Sequence, residues 1–283
     1  MKKFLKKIVS ALMIMVLFIT VFKVDVSASS AKKSFKYEYG VFLSLDRSSK
    51  NIKKMKDYKV IVLDAQNGFR SSDIRKLKKQ GHVIYSYINV GAVENYRDYY
   101  NEYVDITLGV YENWSDERWV DVSQKKWQDF ILNKLAVDIK NTGVDGFFVD
   151  NVDVYYQYPT KEIYEGVETI LKGLKRKGKV IVNGGDTFVS KYISNNGNLK
   201  GVLDGVNQES VFSSIIDYDK DEFGKNDPDS EKYFKSYLKT VKKNKKKVYL
   251  LEYTKDKKLK KKIQSYCRKK GYGYYISKKL DLS

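Results

Sequence analysis

The sequence predicts an α/β protein built as a single (β/α)8 barrel, the TIM-barrel fold. Eight short apolar runs alternate with lysine-rich amphipathic segments, and strand–helix alternation of this kind favours parallel βαβ units. Several segments end in glycine, as in Gln80-Gly81 and Lys177-Gly178, which is typical of helix C-termini. No Gly-x-Gly-x-x-Gly fingerprint follows a predicted strand, so the main signal for a dinucleotide-binding sheet is missing.

The predicted elements cover nearly all of the chain after its first forty residues. The strands are expected at residues 40–45, 60–64, 83–89, 145–150, 179–183, 203–209, 247–253 and 273–277. The helices are expected at 72–80, 124–142, 164–177, 188–195, 231–243 and 259–270. A further short strand could lie at 119–122, within the long connection between residues 91 and 123.

The N-terminal residues are typical of a secretory signal peptide. Four lysines within residues 2–7 precede an apolar stretch at 8–22, and Val26-Ser27-Ala28 forms a small-residue cleavage site. A retained membrane anchor is the alternative, but the stretch is shorter than the ~20 apolar residues of a spanning helix. We therefore expect a signal peptide at 1–28, a disordered leader at 29–36, a barrel domain at 37–283 and a secreted product.

The chain is strongly basic, with 54 Lys and Arg against 35 Asp and Glu, a net charge of +19. Removing residues 1–28 takes away five Lys and one Asp, which leaves +15. Anionic cell-wall or matrix polymers are therefore candidate neighbours. The lysine runs at 242–247 and 257–262 are typical of solvated helix faces, so we expect no specific nucleic-acid binding, and we expect a monomer.

Histidine and cysteine are too scarce for several kinds of chemistry. Cys267 and His82 are single, so an intramolecular disulfide and a zinc site of the usual His/Cys type cannot form. His82 begins an apolar strand-like run and should lie at the opposite end of its strand from an active site. We expect no metal and no cofactor, which leaves proton transfer to carboxylates.

Acidic residues stand at seven of the eight predicted strand exits, where a (β/α)8 barrel places its active site. The exit residues are Asp46, Asp64, Asn89 with Glu94, Asp150 with Asp153, Asn183 with Asp186, Glu209, Glu252 and Ser277. Glycoside hydrolysis requires two such carboxyl groups. We predict Asp150, after the fourth strand, and Glu209, after the sixth, as the catalytic pair. By analogy with other retaining α-glycosidase barrels, Asp150 would be the nucleophile and Glu209 the acid/base. The predicted substrate-binding residues are Asp64, Tyr87, Asn89, Glu94, Asp153, Asn183 and Glu252.

One exit segment also carries a family resemblance. Residues 143–153, Gly-Val-Asp-Gly-Phe-Phe-Val-Asp-Asn-Val-Asp, resemble the signature of glycoside hydrolase family 114, the endo-α-1,4-polygalactosaminidases, which have a (β/α)8 barrel. Segments 62–64, 87–97, 119–122 and 206–210 resemble the family in the same order. The resemblance implies that Asp150 and Glu209 match the family's proposed catalytic pair, and that the substrate is an α-1,4-linked galactosamine or N-acetylgalactosamine polymer.

Two hypotheses from other functional classes are also compatible with the sequence. A carbohydrate-binding barrel of the cell surface would use the same carboxylates to hold sugar without cleaving it. A metal-dependent hydrolase would instead gather Asp64, Asp150 and Asp153 around Mg²⁺ or Ca²⁺, which prefer oxygen ligands. Retained inactivity of the folded protein would favour the first, and sensitivity to chelators would favour the second.

Overall fold

The computed structural model describes residues 34–112 and 114–283. The predicted signal peptide and residues 29–33 of the predicted leader lie outside these ranges. Within them, no helix is both long enough and apolar enough to cross a membrane.

Eight parallel strands form the central sheet, and they neighbour one another in chain order. They are β1 (Tyr37–Phe42), β2 (Tyr58–Leu63), β3 (Val83–Asn89), β4 (Gly146–Asp150), β5 (Lys179–Asn183), β6 (Gly205–Glu209), β7 (Lys247–Tyr253) and β8 (Gly273–Ser277). The last strand lies against the first, since a Cβ added to Gly273 would sit 3.2 Å from the Cβ of Tyr39. The predicted (β/α)8 barrel is confirmed.

The first strand begins and ends three residues earlier than the sequence pattern predicts. Leu43 and Ser44 form a turn, and Leu45 packs into the core from the loop instead of extending β1. Leu45 is therefore apolar because it is a buried loop residue. The alternation of apolar and polar residues does not distinguish such a residue from one in a strand.

Helices cover the outside of the barrel between successive strands. The α-helices are Ser49–Met55, Ser71–Lys79, Tyr100–Tyr103, Lys125–Phe130, Ala136–Asn141, Val154–Gln157, Lys161–Lys177, Asp186–Asn196, Pro228–Lys243 and Lys257–Lys270, with a 3-10 turn at Val104–Ile106 and a π turn at Ile131–Leu135. The predicted helix at 124–142 is therefore interrupted by the π turn. Ser49–Met55 was not predicted, because it buries Met55 alone and has no apolar stripe.

Alternation along each strand divides the core into two layers. On β7, Tyr249, Leu251 and Tyr253 point into the barrel, where they pack with residues of the other strands. Val248 and Leu250 point outward and pack beneath the helices. Because successive side chains of a strand face opposite sides, the same alternation decides which exit residues can reach the barrel mouth.

Two antiparallel insertions stand at the C-terminal ends of the strands. After β3, strands Ala92–Glu94, Glu117–Val120 and Thr107–Val110 pair in that order as a small sheet. After β6, Ser213–Asp217 and Glu222–Lys225 form a hairpin. The additional strand expected at 119–122 therefore exists as Glu117–Val120, but it pairs outside the barrel.

Candidate active site

A cavity of about 620 Å³ opens at the C-terminal ends of the barrel strands. Six predicted site residues line it: Asp64, Tyr87, Asp150, Asp153, Asn183 and Glu209. Glu117 and Asp281 add two further carboxyl groups, and among the described residues Arg97 is the one basic residue that lines the cavity. The mouth is thus acidic although the chain as a whole is basic.

Asn183 at the end of β5 joins the two predicted catalytic carboxyl groups. Its Nδ2 donates to Asp150 Oδ1 at 2.9 Å and to Glu209 Oε1 at 2.7 Å. These two oxygens can lie no farther apart than the two hydrogen bonds laid end to end. That limit is below the ~6.5 Å at which inverting separations begin, and it is close to the ~5–5.5 Å of retaining enzymes.

A chain of hydrogen bonds through the barrel interior fixes the orientation of the Asn183 amide. The Tyr39 hydroxyl donates to Asn207 Oδ1 at 3.0 Å, and Asn207 Nδ2 donates to Asn183 Oδ1 at 2.6 Å. Because the Asn183 oxygen already accepts from Asn207, its NH₂ group is turned toward the two carboxyl groups. Tyr39 and Asn207 are both fully buried, so water does not compete for these bonds.

The surroundings of Glu209 favour its protonated form near neutral pH. Burial and, next in size, the negative charge of Asp150 raise the pKa of Glu209 to about 7. Two hydrogen bonds oppose that rise, one from Asn183 and one from the Tyr253 hydroxyl to Glu209 Oε2 at 2.7 Å. A carboxyl group with this pKa can hold a proton for donation at the pH where most proteins work.

Asp150 receives hydrogen bonds that favour its charged form. Burial raises its pKa above the ordinary value, while the Asn183 amide, the Asn151 backbone N–H and the Tyr87 hydroxyl lower it. Asn151 has a left-handed backbone (φ 60°), and its side chain donates to Asn89 Oδ1 and to Glu117 Oε2. This pair of contacts stabilises an unusual backbone conformation directly beside Asp150.

Arg97 carries a buried ion cluster on the β2–β3 side of the cavity. Its Nη2 lies 2.9 Å from Asp64 Oδ2 and 3.3 Å from Glu94 Oε1, and the Tyr87 hydroxyl oxygen lies 3.3 Å from the same Glu94 oxygen. Two carboxylates therefore share one guanidinium. Burial raises the pKa of Glu94, and the charge of Arg97 opposes that rise.

Glu252 does not reach the cavity, so the prediction that it contacts substrate is corrected. It is fully buried, and it accepts hydrogen bonds from the backbone N–H groups of Val211, Phe212 and Ser213 and from the Ser213 hydroxyl at 2.7 Å. The reason is the alternation of β7: Tyr253 faces the interior, so Glu252 faces the outer layer. It holds the loop that follows β6.

Asn89 and Glu94 are also corrected from substrate contacts to buried supports. Asn89 accepts from the Ala92 backbone N–H and donates to Glu117 Oε2 at 3.1 Å, and it is 2 % exposed. Glu94 is fully buried against Arg97. Both residues are buried where the small antiparallel sheet packs over the end of β3. The sequence does not indicate that this insertion folds back over the strand.

Several cavity residues were missed by reading strand exits alone. Glu117 belongs to the insertion after β3 and therefore stands at no barrel exit; burial, Glu94 and Asp150 raise its pKa to about 8. Tyr253 could have been found, because alternation along β7 places it on the same face as Leu251. Asn207 does not line the cavity, but it supports Asn183 from the barrel interior, and it carried a similar signal because it lies two residues before Glu209 on β6.

The remaining sequence predictions concern residues away from the cavity. His82 precedes β3 and so lies at the N-terminal end of the barrel, with Nδ1 2.6 Å from the Tyr58 carbonyl oxygen. Asp46 is exposed and accepts from the Ser48 backbone N–H and the Asn51 amide, which fixes the turn before the first helix. Among the described residues, no group of three or more His, Cys, Asp or Glu side chains is arranged to hold a metal ion.

A (β/α)8 barrel that holds a close pair of carboxyl groups in a cavity at the C-terminal ends of its strands has the arrangement of the barrel glycoside hydrolases. The sequence model of glycoside-hydrolase family GH114 matches residues 23–283, and the chain belongs to that family. The predicted family and the prediction of a glycoside hydrolase are confirmed.

Solved structures share the fold at low sequence identity. The glycoside hydrolase domain of PelA from Pseudomonas aeruginosa is 17 % identical with a TM-score of 0.71, covering 87 % of this chain and 95 % of that one. Ega3 of Aspergillus fumigatus, in complex with galactosamine, is 14 % identical with a TM-score of 0.67, covering 90 % and 95 %. A comparison with curated proteins found no match.

Proposed function

We propose that this protein is a secreted hydrolase that cleaves an α-1,4-linked galactosamine or N-acetylgalactosamine polymer with Asp150 and Glu209. The observation that carries the proposal is the Asn183 amide, which donates to both carboxyl groups and so holds them as a pair. Membership of family GH114 and the likeness to a protein solved with galactosamine support the substrate class.

The proposed reaction proceeds in two steps with retention of configuration. Asp150 attacks the anomeric carbon while Glu209 gives its proton to the leaving oxygen, and a glycosyl ester forms on Asp150. The ester has no negative charge, so one of the influences that raise the pKa of Glu209 disappears. Glu209 then accepts a proton from water, which attacks the ester and releases the product.

The charge distribution supports a substrate that carries ammonium groups. Carboxyl groups outnumber the single Arg97 in the described lining of the cavity, whereas the net charge of the chain without residues 1–28 is +15. A galactosamine polymer without acetyl groups would be drawn to this mouth, and the basic exterior would associate with anionic cell-wall or matrix polymers. Asp64, Tyr87, Asp153 and Asn183 are the proposed sugar-binding residues.

The test is release of reducing ends from partly de-acetylated galactosamine and glucosamine polymers. We expect cleavage of the galactosamine polymer, with Asp150→Asn as the matched inactive control. Equal cleavage of the glucosamine polymers would contradict the proposed sugar, and a folded protein that cleaves neither polymer would contradict the proposed substrate class. We also expect the protein to be a monomer in solution and the secreted chain to begin near Ser29.

A further inference from the structure

Two exposed aromatic side chains meet at the cavity from different insertions. Trp114 lies between strands Thr107–Val110 and Glu117–Val120 in the insertion after β3, and Tyr218 follows Ser213–Asp217 in the hairpin after β6. Their ring centroids are 5.8 Å apart and their planes lie at 85°, a favourable edge-to-face geometry. Both rings line the cavity, and they remain 44 % and 37 % exposed.

The two insertions rise from well-separated strand ends, so a contact between their tips lies across the cavity. The strands follow one another in chain order around the barrel, so a line from the exit of β3 to the exit of β6 separates β4 and β5 from the other four strands. Lining residues occur on both sides of that line: Asp153 and Gly184 after β4 and β5, Leu43 and Leu282 after β1 and β8. The ring pair therefore spans the cavity and does not merely border it.

Each insertion is fixed at its base, and the ring pair joins the two tips. Tyr111 stacks on the buried Trp119 with centroids 4.3 Å apart at 19°, and Phe223 of the hairpin stacks on Tyr253 at 5.7 Å and 28°. The rings of Trp114 and Tyr218 are partly exposed, so their contact buries less apolar surface than the stacking on the buried Trp119 and Tyr253. The contact between the tips can therefore open while the bases stay in place.

We propose that Trp114 and Tyr218 form an aromatic bridge that closes over bound glycan and sets the length of substrate the enzyme accepts. Short oligosaccharides and chain ends pass beneath the bridge, whereas an internal stretch of a long polymer reaches Asp150 and Glu209 only when it opens. Flat rings with a polar tip suit the apolar face of a sugar, so the same rings hold the glycan once it is bound. This proposal rests on the proposed function.

A reversible cross-link between the two tips tests the bridge directly. Cysteines placed by Trp114→Cys and Tyr218→Cys are joined with a short bis-methanethiosulfonate reagent; the native Cys267 is buried, its pKa is raised to about 12, and it does not compete. We expect the link to lower cleavage of a long galactosamine polymer about tenfold or more while an aryl glycoside is still cleaved. A reductant should restore polymer cleavage. Equal polymer cleavage with and without the link would overturn the proposal.

Tryptophan fluorescence tests the bridge without any catalysis. Trp119 and Trp127 are buried, at 2 % and 0 % exposure, so acrylamide quenching reports on Trp114. Tyr218→Ala should increase this quenching with no sugar present, and a de-acetylated galactosamine oligomer should decrease it in the Glu209→Gln protein. Trp114→Phe is the control that should show neither change.

The two measurements separate the bridge from the proposed function. If the protein neither binds nor cleaves galactosamine substrates, the proposed function fails, and the sugar-free effect of Tyr218→Ala still decides whether the bridge exists. If the long polymer and the aryl glycoside are both cleaved but quenching is the same with and without Tyr218, the proposed function stands and the bridge is wrong.

Discussion

Two glutamates at the ends of neighbouring strands face opposite sides of the barrel wall. Glu209 of β6 and Glu252 of β7 both look like exit carboxylates in the sequence, and Glu209 pairs in register with Leu251. Glu209 faces the cavity with two side-chain donors, whereas Glu252 is sealed in the outer layer among loop N–H groups. A shift of one position along a strand is enough to turn a carboxyl group from the cavity to the outer layer, where it supports a loop.

The largest loss of activity is expected from substitution of Asp150, the carboxyl group paired with Glu209. Asp150→Asn keeps the size of the side chain but removes the proposed nucleophile, so cleavage of the polymer and of an aryl glycoside should both fall below detection. Steady-state rates on the two substrates check this, with circular dichroism to verify folding. Substantial activity on either substrate would show that Asp150 is not the nucleophile.

Glu209→Gln should separate the two substrates. General acid catalysis typically contributes ~10²–10⁴-fold, so turnover of the polymer, which has a poor leaving group, should fall by about that factor. An aryl glycoside with an activated leaving group needs less protonation, and its first step should suffer much less. Equal losses on both substrates would remove Glu209 from the role of proton donor.

The same substitution should leave stability unharmed. Folding raises the pKa of Glu209 from an ordinary 4.5 to about 7, so the unfolded chain releases this proton at lower pH than the folded one. This group's contribution to stability is therefore fully present below pH 4.5 and declines as the pH rises toward 7. Glutamine does not ionise, and its NH₂ group can donate to the Tyr253 hydroxyl, which can accept as well as donate. The midpoint of thermal unfolding at pH 7 should therefore be unchanged or higher.

Glu252→Gln should show the opposite pattern and sharpen the comparison. Its amide group would turn a donor toward the N–H groups that the carboxylate accepts, which leaves buried donors unsatisfied at a cost of about 1–3 kcal/mol. We expect a lower unfolding midpoint and nearly normal kcat on the aryl glycoside. A large loss of kcat with unchanged stability would return Glu252 to the catalytic machinery.

Removal of the shared amide should give a smaller effect that is visible in the pH profile. Asn183→Ala deletes a hydrogen bond that lowers the pKa of both Glu209 and Asp150, so both pKa values should rise. In the unaltered enzyme, kcat/KM should fall as the pH rises through about 7, where Glu209 loses its proton. In the variant, both limbs of the profile should move to higher pH. The exposed Asn198→Ala serves as control, and an unmoved profile would contradict the proposed pairing.

Much of this barrel could be predicted because the periodicity of each strand and helix is contained within its own segment of the sequence. Strand and helix periodicity located all eight strands, and the strand exits include Asp150, Asn183 and Glu209, which line the cavity. In a (β/α)8 barrel every parallel strand ends at the same face, so position in the sequence translates directly into position at the mouth.

The tertiary structure alone decided which exit side chains face the cavity and which are covered. Alternation on β7 would have separated Glu252 from Tyr253, but nothing local indicates that the insertion after β3 covers Asn89 and Glu94 and brings Glu117 to the cavity. Those outcomes depend on contacts between segments far apart in the chain, such as Asn89 with Glu117 and Tyr39 with Asn207. Composition and periodicity describe each segment by itself, whereas burial and pKa arise only when the segments pack together.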